Sequence, residues 1–237
     1  MNKKKIKKNI CHTGYKIWQK GWCAANDGNI TVKIKPDKFL ATASGISKGS
    51  LKPAMVLAVN QKGAAFKKNK YRVTSEIKVH MAVYNKIPQC NAVIHSHSPY
   101  ATVWAVAGQP LPEALYPEAE IMLGRVELAP YALQSTAALA DKTAAVMSRD
   151  TGAVLMANHG CLTCGRSLAQ AYERLEVLES YCRLLILLKK TGKAVLLSEE
   201  EISRLITLKK KLGFRENRNA AEILNSARQK LSSFLNE

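Results

Sequence analysis

The chain has 237 residues and a formal net charge of +18, from 36 lysines and arginines against 18 aspartates and glutamates. That length buries a sizeable core, and without an internal repeat or a long Ser/Gly/Pro-rich linker it reads as one domain over 1–237. The excess charge is spread over Lys3-Lys4-Lys5, Lys67-Lys68-Asn69-Lys70, Lys189-Lys190 and Lys209-Lys210-Lys211 with no helix-turn-helix, ribonucleoprotein motif or zinc finger, so it reads as a solvated surface that favours anionic ligands, not as a specific nucleic-acid site.

In chain order, residues 6–21 read as a helix that Gly21 stops, followed by strands near 29–35, 39–41 and 55–60. Asn60-Gln61-Lys62-Gly63 reads as a hairpin turn. Thr74-Ser75-Glu76 precedes Ile77, His80, Met81 and Tyr84 at helical spacing, which predicts a helix over 75–86 with Glu76 in its first turn. Asn91-Ala92-Val93-Ile94 and Ala153-Val154-Leu155-Met156 are short apolar runs of buried-strand character. Further helices fall at 99–107, where Pro99 suits a first turn, and at 135–147, 167–188, 198–212 and 220–235. Short strands flanked by helices indicate an α/β sandwich.

The basic amino terminus leads into Asn9, His12 and Lys16 instead of an apolar signal core, and Leu184-Leu185-Ile186-Leu187-Leu188 is too short to cross a bilayer, so a cytoplasmic protein without a membrane partner is expected. Six cysteines in such a chain do not make a disulfide framework. Cys161-Leu162-Thr163-Cys164 has redox or metal-ligand spacing, yet it lies between Gly160 and Gly165 in apparent strand, where a structural role fits better.

Three of the five histidines lie at strand ends, in His95-Ser96-His97 and Asn158-His159-Gly160. Residues i and i+2 of an extended segment share a side, so His95 and His97 can turn to one point while Ser96 faces away. Three imidazoles with an open fourth position are the arrangement of a catalytic metal, although ordinary polar residues at strand ends fit the spacing equally well. Beside a metal, Glu76 becomes a candidate ligand and general base; otherwise it is a carboxylate favoured by a helix dipole. Gly28 and Gly45 permit tight turns with exposed backbone NH groups, and Thr74 and Ser75 at a helix amino terminus suit either an anion or helix capping.

Taken together, Asn26-Asp27-Gly28-Asn29, Thr42-Ala43-Ser44-Gly45, Thr74-Ser75-Glu76, His95-Ser96-His97-Ser98, Asn158-His159-Gly160 and Leu197-Ser198-Glu199-Glu200-Glu201 occur in the order seen in the class II aldolase/adducin family. The chain resembles that family from about Ile6 to about Phe214, most closely its L-fuculose-phosphate aldolase branch, which implies a core at about 6–214 and a helical extension at 215–237. The resemblance implies a largely antiparallel central sheet with helices on both sides. It implies a substrate phosphate held by Asn29, Ser44, Gly45, Thr74 and Ser75, and Zn2+, or another divalent ion such as Mn2+ or Co2+, held by His95, His97, His159 and, in the resting state, Glu76. Glu76 then serves as acid/base, and Tyr116 reaches a neighbouring subunit of a homotetramer. The implied reaction is reversible cleavage of a ketose 1-phosphate, such as L-fuculose 1-phosphate, to dihydroxyacetone phosphate and an aldehyde.

Two departures bear on the substrate. Leu212-Gly213-Phe214 stands where the branch carries a tyrosine near its carboxyl-terminal glycine, and Glu120 stands where related L-ribulose-5-phosphate 4-epimerases carry an acidic catalytic residue. A 4-epimerase and a methylthioribulose-1-phosphate dehydratase are therefore alternatives within the family, and a non-enzymatic adducin-like interaction module is the alternative outside enzymology. Retention of all three histidines with Glu76 favours an enzyme.

Overall fold

Alternating side chains turn each central strand into a partition between two apolar layers. A computed structural model describes residues 2–236. Among the described residues, seven strands form one sheet: β1 (Asn29–Lys35), β2 (Lys38–Thr42), β3 (Val56–Val59), β4 (Ala92–Ser96), β5 (Glu127–Ala129), β6 (Ala153–Met156) and β7 (Gly160–Gly165). Their order is β3-β2-β1-β4-β7-β6-β5, and every neighbouring pair is antiparallel except β5 with β6. The largely antiparallel sheet expected from the resemblance is present.

Helices α1 (Lys3–Gln19), α2 (Ile77–Lys86), α3 (Pro99–Ala107), α4 (Pro117–Met122), α5 (Ala137–Ala145), α6 (Leu168–Lys189), α7 (Glu199–Lys211) and α8 (Ala220–Asn236) surround it. On one face, Ile10 and Ile17 of α1, Trp104 of α3 and Leu175 of α6 pack with Ile30, Ile94 and Leu155. On the other, Val79 and Val83 of α2 and Leu139 of α5 pack with Phe39, Val93 and Val154. The result is an α/β sandwich with both sheet faces covered. No helix among the described residues is long and apolar enough to cross a membrane.

The helix boundaries depart from the sequence reading where short-range chemistry decides. The first helix starts at Lys3, not at residue 6, because Asn2 caps it, its side chain accepting from the Lys4 NH at 2.9 Å. Gly21 follows in the left-handed region at φ 71° and ends it as predicted. Helix α4 has six residues and β5 three, too few for apolar periodicity to register, and neither was expected. Cys161 and Cys164 do lie in strand, on β7, and their side chains enter opposite apolar layers, so they do not form a working pair. All six cysteines are free.

The carboxyl-terminal helix is docked against the rest of the chain. Ile223, Leu224 and Ala227 of α8 cluster with Ile202 of α7 and Ala114, and Phe234 lies on Trp104 with ring centroids 5.3 Å apart.

Candidate active site

Strand parity assembles the centre of the site. Along β4, Val93 and His95 face the α2 layer, while Ser96 faces the opposite layer, where its hydroxyl lies 3.7 Å from the Cys161 thiol. His97 follows one residue past the strand and turns back beside His95, as the i, i+2 spacing predicts. Pairing of His95 with Leu162 sets the β6–β7 turn next to them. In that turn Asn158 adopts φ 56°, anchored by its NH on Ala105 O at 3.0 Å, and the next residue, His159, completes the cluster. Glu76 is not in the first turn of α2 but caps it, one residue ahead of Ile77. That position aims its carboxylate at the histidines.

The geometry is that of a donor set. Nε2 of His95 lies 3.0 Å from Nε2 of His97 and 3.1 Å from Glu76 Oε2, and Nε2 of His159 lies 3.2 Å from Glu76 Oε1. The three imidazoles offer ligand atoms within 4.8 Å of one another. His95 Nδ1 donates to Cys161 O at 2.9 Å, and His97 Nδ1 lies 3.2 Å from Asp27 Oδ2. These outward bonds put the ring protons of His95 and His97 on Nδ1 and leave bare Nε2 lone pairs inward, as in histidines that ligate a metal.

Burial pushes the His95 pKa down to about 4, with the neighbouring imidazoles adding to the effect and Glu76 opposing it. Burial alone would raise the Glu76 carboxyl; His95, His159 and the Asn29 amide around it outweigh that and hold it far below the usual carboxylate range. Lone pairs and an ionised carboxylate thus face one another at about 3 Å, an arrangement that a cation between them relieves. Three imidazoles and one carboxylate fit a divalent metal by donor chemistry.

The cleft leading to this cluster is lined by Asn29, Ser44, Gly45, Thr74, Ser75, Glu76, His95, His97 and His159, so all five residues expected at a phosphate share it with the histidines. Gly45 there has φ 73°, where a side chain is strained. Gly28 combines φ 72° with a close approach: a Cβ would sit 2.9 Å from His95 O. The Thr74 hydroxyl accepts from the Glu76 NH at 3.4 Å, so local capping accounts for part of its role.

Asp27, Gln134 and Ser135 also line the cleft and carried no role in the sequence reading. Asp27 sits inside the Asn26-Asp27-Gly28-Asn29 motif and could have been weighed from it. Ser135, at φ 65°, and Gln134 come from an irregular segment whose path no sequence signal betrays.

Three other residues lie outside the cleft. Tyr116 caps α4 with its ring stacked on Tyr181, centroids 6.0 Å apart, and does not line the cleft. Glu120 is buried, accepts from the Ala114 NH at 2.6 Å, and faces Ile202, Lys209 and Ile223. Phe214 lies under the Arg174 guanidinium, 5.8 Å from it, also outside the cleft.

Residues 8–186 match the family described as Class II Aldolase and Adducin N-terminal domain. The L-fuculose phosphate aldolase of Methanocaldococcus jannaschii is 32% identical over 187 residues, which span 79% of this chain and 97% of that protein. The 3-oxo-tetronate 4-phosphate decarboxylase of Escherichia coli O6:H1 is 29% identical over 176 residues, 73% of this chain and 82% of that one. A solved structure of an L-fuculose 1-phosphate aldolase superposes with a TM-score of 0.78 at 26% identity, covering 89% of this chain and 97% of its own.

Proposed function

Because the chain belongs to the class II aldolase and adducin family, we propose that it is a metal-dependent lyase cleaving a ketose 1-phosphate, such as L-fuculose 1-phosphate, to dihydroxyacetone phosphate and an aldehyde. The observation that carries this reading is the convergence of three imidazoles and the Glu76 carboxylate in a cleft whose other wall is made of glycine turns, hydroxyls and a helix amino terminus. One wall suits a divalent cation, Zn2+ first among Zn2+, Mn2+ and Co2+ by its affinity for imidazole. The other suits a phosphate dianion.

In this reading Asn29, Ser44, Gly45, Thr74 and Ser75 hold the phosphate and fix the distance from it to the reacting carbons. The cation held by His95, His97 and His159 supplies Lewis-acid polarisation of the substrate oxygens. Glu76, ionised and buried at 8% exposure, takes the proton from C3 of dihydroxyacetone phosphate in the synthetic direction and returns it in cleavage. Tyr116, remote from its own cleft, acts in that of an adjacent subunit of the homotetramer that the family resemblance implies, handing a proton to the aldehyde oxygen.

A second reading is supported by the decarboxylase among the relatives. Loss of carbon dioxide from a 3-oxo acid leaves a carbanion next to a carbonyl, as retro-aldol cleavage does, so the same cation and phosphate walls would serve. Glu120, the residue that pointed to a 4-epimerase, accepts from the Ala114 NH in a buried position outside the cleft of its own chain.

Assay of the metal-loaded protein against a panel of ketose 1-phosphates and 3-oxo acid 4-phosphates separates these readings. Dihydroxyacetone phosphate released from at least one ketose 1-phosphate is the expected result. Carbon dioxide release from a 3-oxo acid 4-phosphate, with no cleavage of any ketose 1-phosphate, would assign the decarboxylase reaction instead.

A further inference from the structure

A chain of polar groups crosses the apolar layer between the sheet and α2. The hydroxyls of Tyr84 and Thr31 are 2.9 Å apart, Thr31 Oγ1 lies 2.8 Å from His80 Nδ1, His80 Nε2 hydrogen-bonds Asn29 Oδ1, and Asn29 Nδ2 donates to Glu76 Oε2 at 3.0 Å. Thr31 and His80 are fully buried, and Tyr84 and Asn29 nearly so. Four polar side chains in such a layer are costly unless each is bonded, and each is.

Only one direction of hydrogen bonding satisfies the whole chain. An ionised carboxylate accepts and cannot donate, so Asn29 turns its NH2 to Glu76 and its carbonyl oxygen to His80. His80 must then carry its proton on Nε2. Complete burial keeps the ring neutral, its pKa pushed down to about 3, so Nδ1 is bare and accepts from Thr31, which in turn accepts from Tyr84. The consequence reaches the cleft: Asn29 also lines its phosphate wall.

We propose that His80 is a positioning residue that locks the Asn29 amide with its NH2 toward Glu76, so that one side chain joins the phosphate wall to the proton-transferring carboxylate. This rests on the function proposed above. With an apolar ring at position 80 the amide oxygen loses its donor and stays unsatisfied in a buried layer, so the carboxylate alone holds the amide and its NH2 is no longer fixed toward Glu76.

Two measurements on the full-length protein test the lock. Long-range 1H–15N correlation spectra report the tautomer of each of the five histidines, and His80 is expected as the neutral Nε2–H form at pH 7. An Nδ1–H tautomer or an imidazolium there would overturn the proposal without any variant being made. In the second, C3 proton exchange in dihydroxyacetone phosphate is followed at matched metal content. His80→Phe should lower kcat by about 10- to 100-fold, the scale of one lost hydrogen bond to a charged group, with most of the loss recovered in His80→Gln, whose amide nitrogen can reach the place of Nε2. His80→Phe added to Asn29→Ala should cost nothing further, whereas added to Ser44→Ala its loss should multiply. Multiplied losses with Asn29→Ala, or a glutamine variant as slow as the phenylalanine one, would sink the lock. A wild-type protein that catalyses no exchange yet holds the Nε2–H tautomer would instead refute the proposed function and leave the locked amide standing.

Discussion

Replacing Glu113 by glutamine tests how the carboxyl-terminal helices hold the loop that leads to Tyr116. Glu113 is 2% exposed and binds the Arg218 guanidinium, the Ser226 hydroxyl at 2.6 Å and the Lys230 ammonium at 2.8 Å, while Arg218 and Lys209 also pair with Glu216. The same loop is tied by Tyr181 OH donating to Pro112 O at 3.0 Å and by the Leu197 NH on Ala114 O at 2.9 Å. Removing one partner of a buried ion pair costs ~3–5 kcal/mol. The low end applies, because Arg218 keeps Glu216 and Lys230, whose side chain is 11% exposed, can rehydrate. About 3 kcal/mol in a chain of this size lowers Tm by roughly 6–12 °C.

The acid dependence has a definite sign. Burial would raise the Glu113 and Glu216 carboxyls, but the cations around them prevail and hold both below the ordinary 4.5, Glu216 at about 2. The unfolded chain therefore binds more protons, so this contribution is complete above pH 4.5 and is lost as the pH falls toward 2. Thermal unfolding followed by circular dichroism should show the Glu113→Gln deficit in full at pH 7 and a smaller one in acid. A Tm within about 2 °C of the wild type at pH 7 would refute the buried-network reasoning, since that is the scale of about 0.5–1 kcal/mol.

Other consequences follow from the site. The purified protein should carry about one divalent metal per chain, and the double substitution His95→Ala with His97→Ala should strip it; undiminished metal by elemental analysis would place the ion elsewhere. Mixing Glu76→Gln subunits with Tyr116→Phe subunits, each nearly inactive, should restore part of the activity where an intact glutamate meets an intact tyrosine. No recovery after subunit exchange verified by mass, or a monomer by light scattering, would defeat the shared site and leave the metal cluster untouched.

The centre of the site was legible because it rests on parity and turns. His95 and His97 at i, i+2 and His159 in a tight turn meet as strand geometry dictates, and Gly28, Gly45 and Thr74-Ser75-Glu76 signal their turns by residue type. The sheet's two faces were equally readable, from runs such as Ala153–Met156. What stayed hidden depends on contacts distant in sequence. His80 and Tyr84 sit at helical spacing among apolar residues and read as one face of α2, and only the pairing of β1 against that helix gives them Thr31 and Asn29 as partners. Gln134 and Ser135 reach the cleft through an irregular path, and Glu120 turns inward because a short helix that periodicity cannot detect carries it there. Whether Tyr116 enters a site depends on a second subunit, which no pattern within one chain encodes.

Exchange of the C3 proton of dihydroxyacetone phosphate, followed by NMR in deuterated water, tests the pairing of cation and carboxylate on which the proposed chemistry depends. The metal-loaded wild type should exchange the proton, a chelated sample should not, and Glu76→Gln should retain metal while slowing exchange by ~10²–10⁴-fold, the usual contribution of a general base. Exchange by Glu76→Gln at the wild-type rate, or undiminished exchange after the metal is removed, would contradict it.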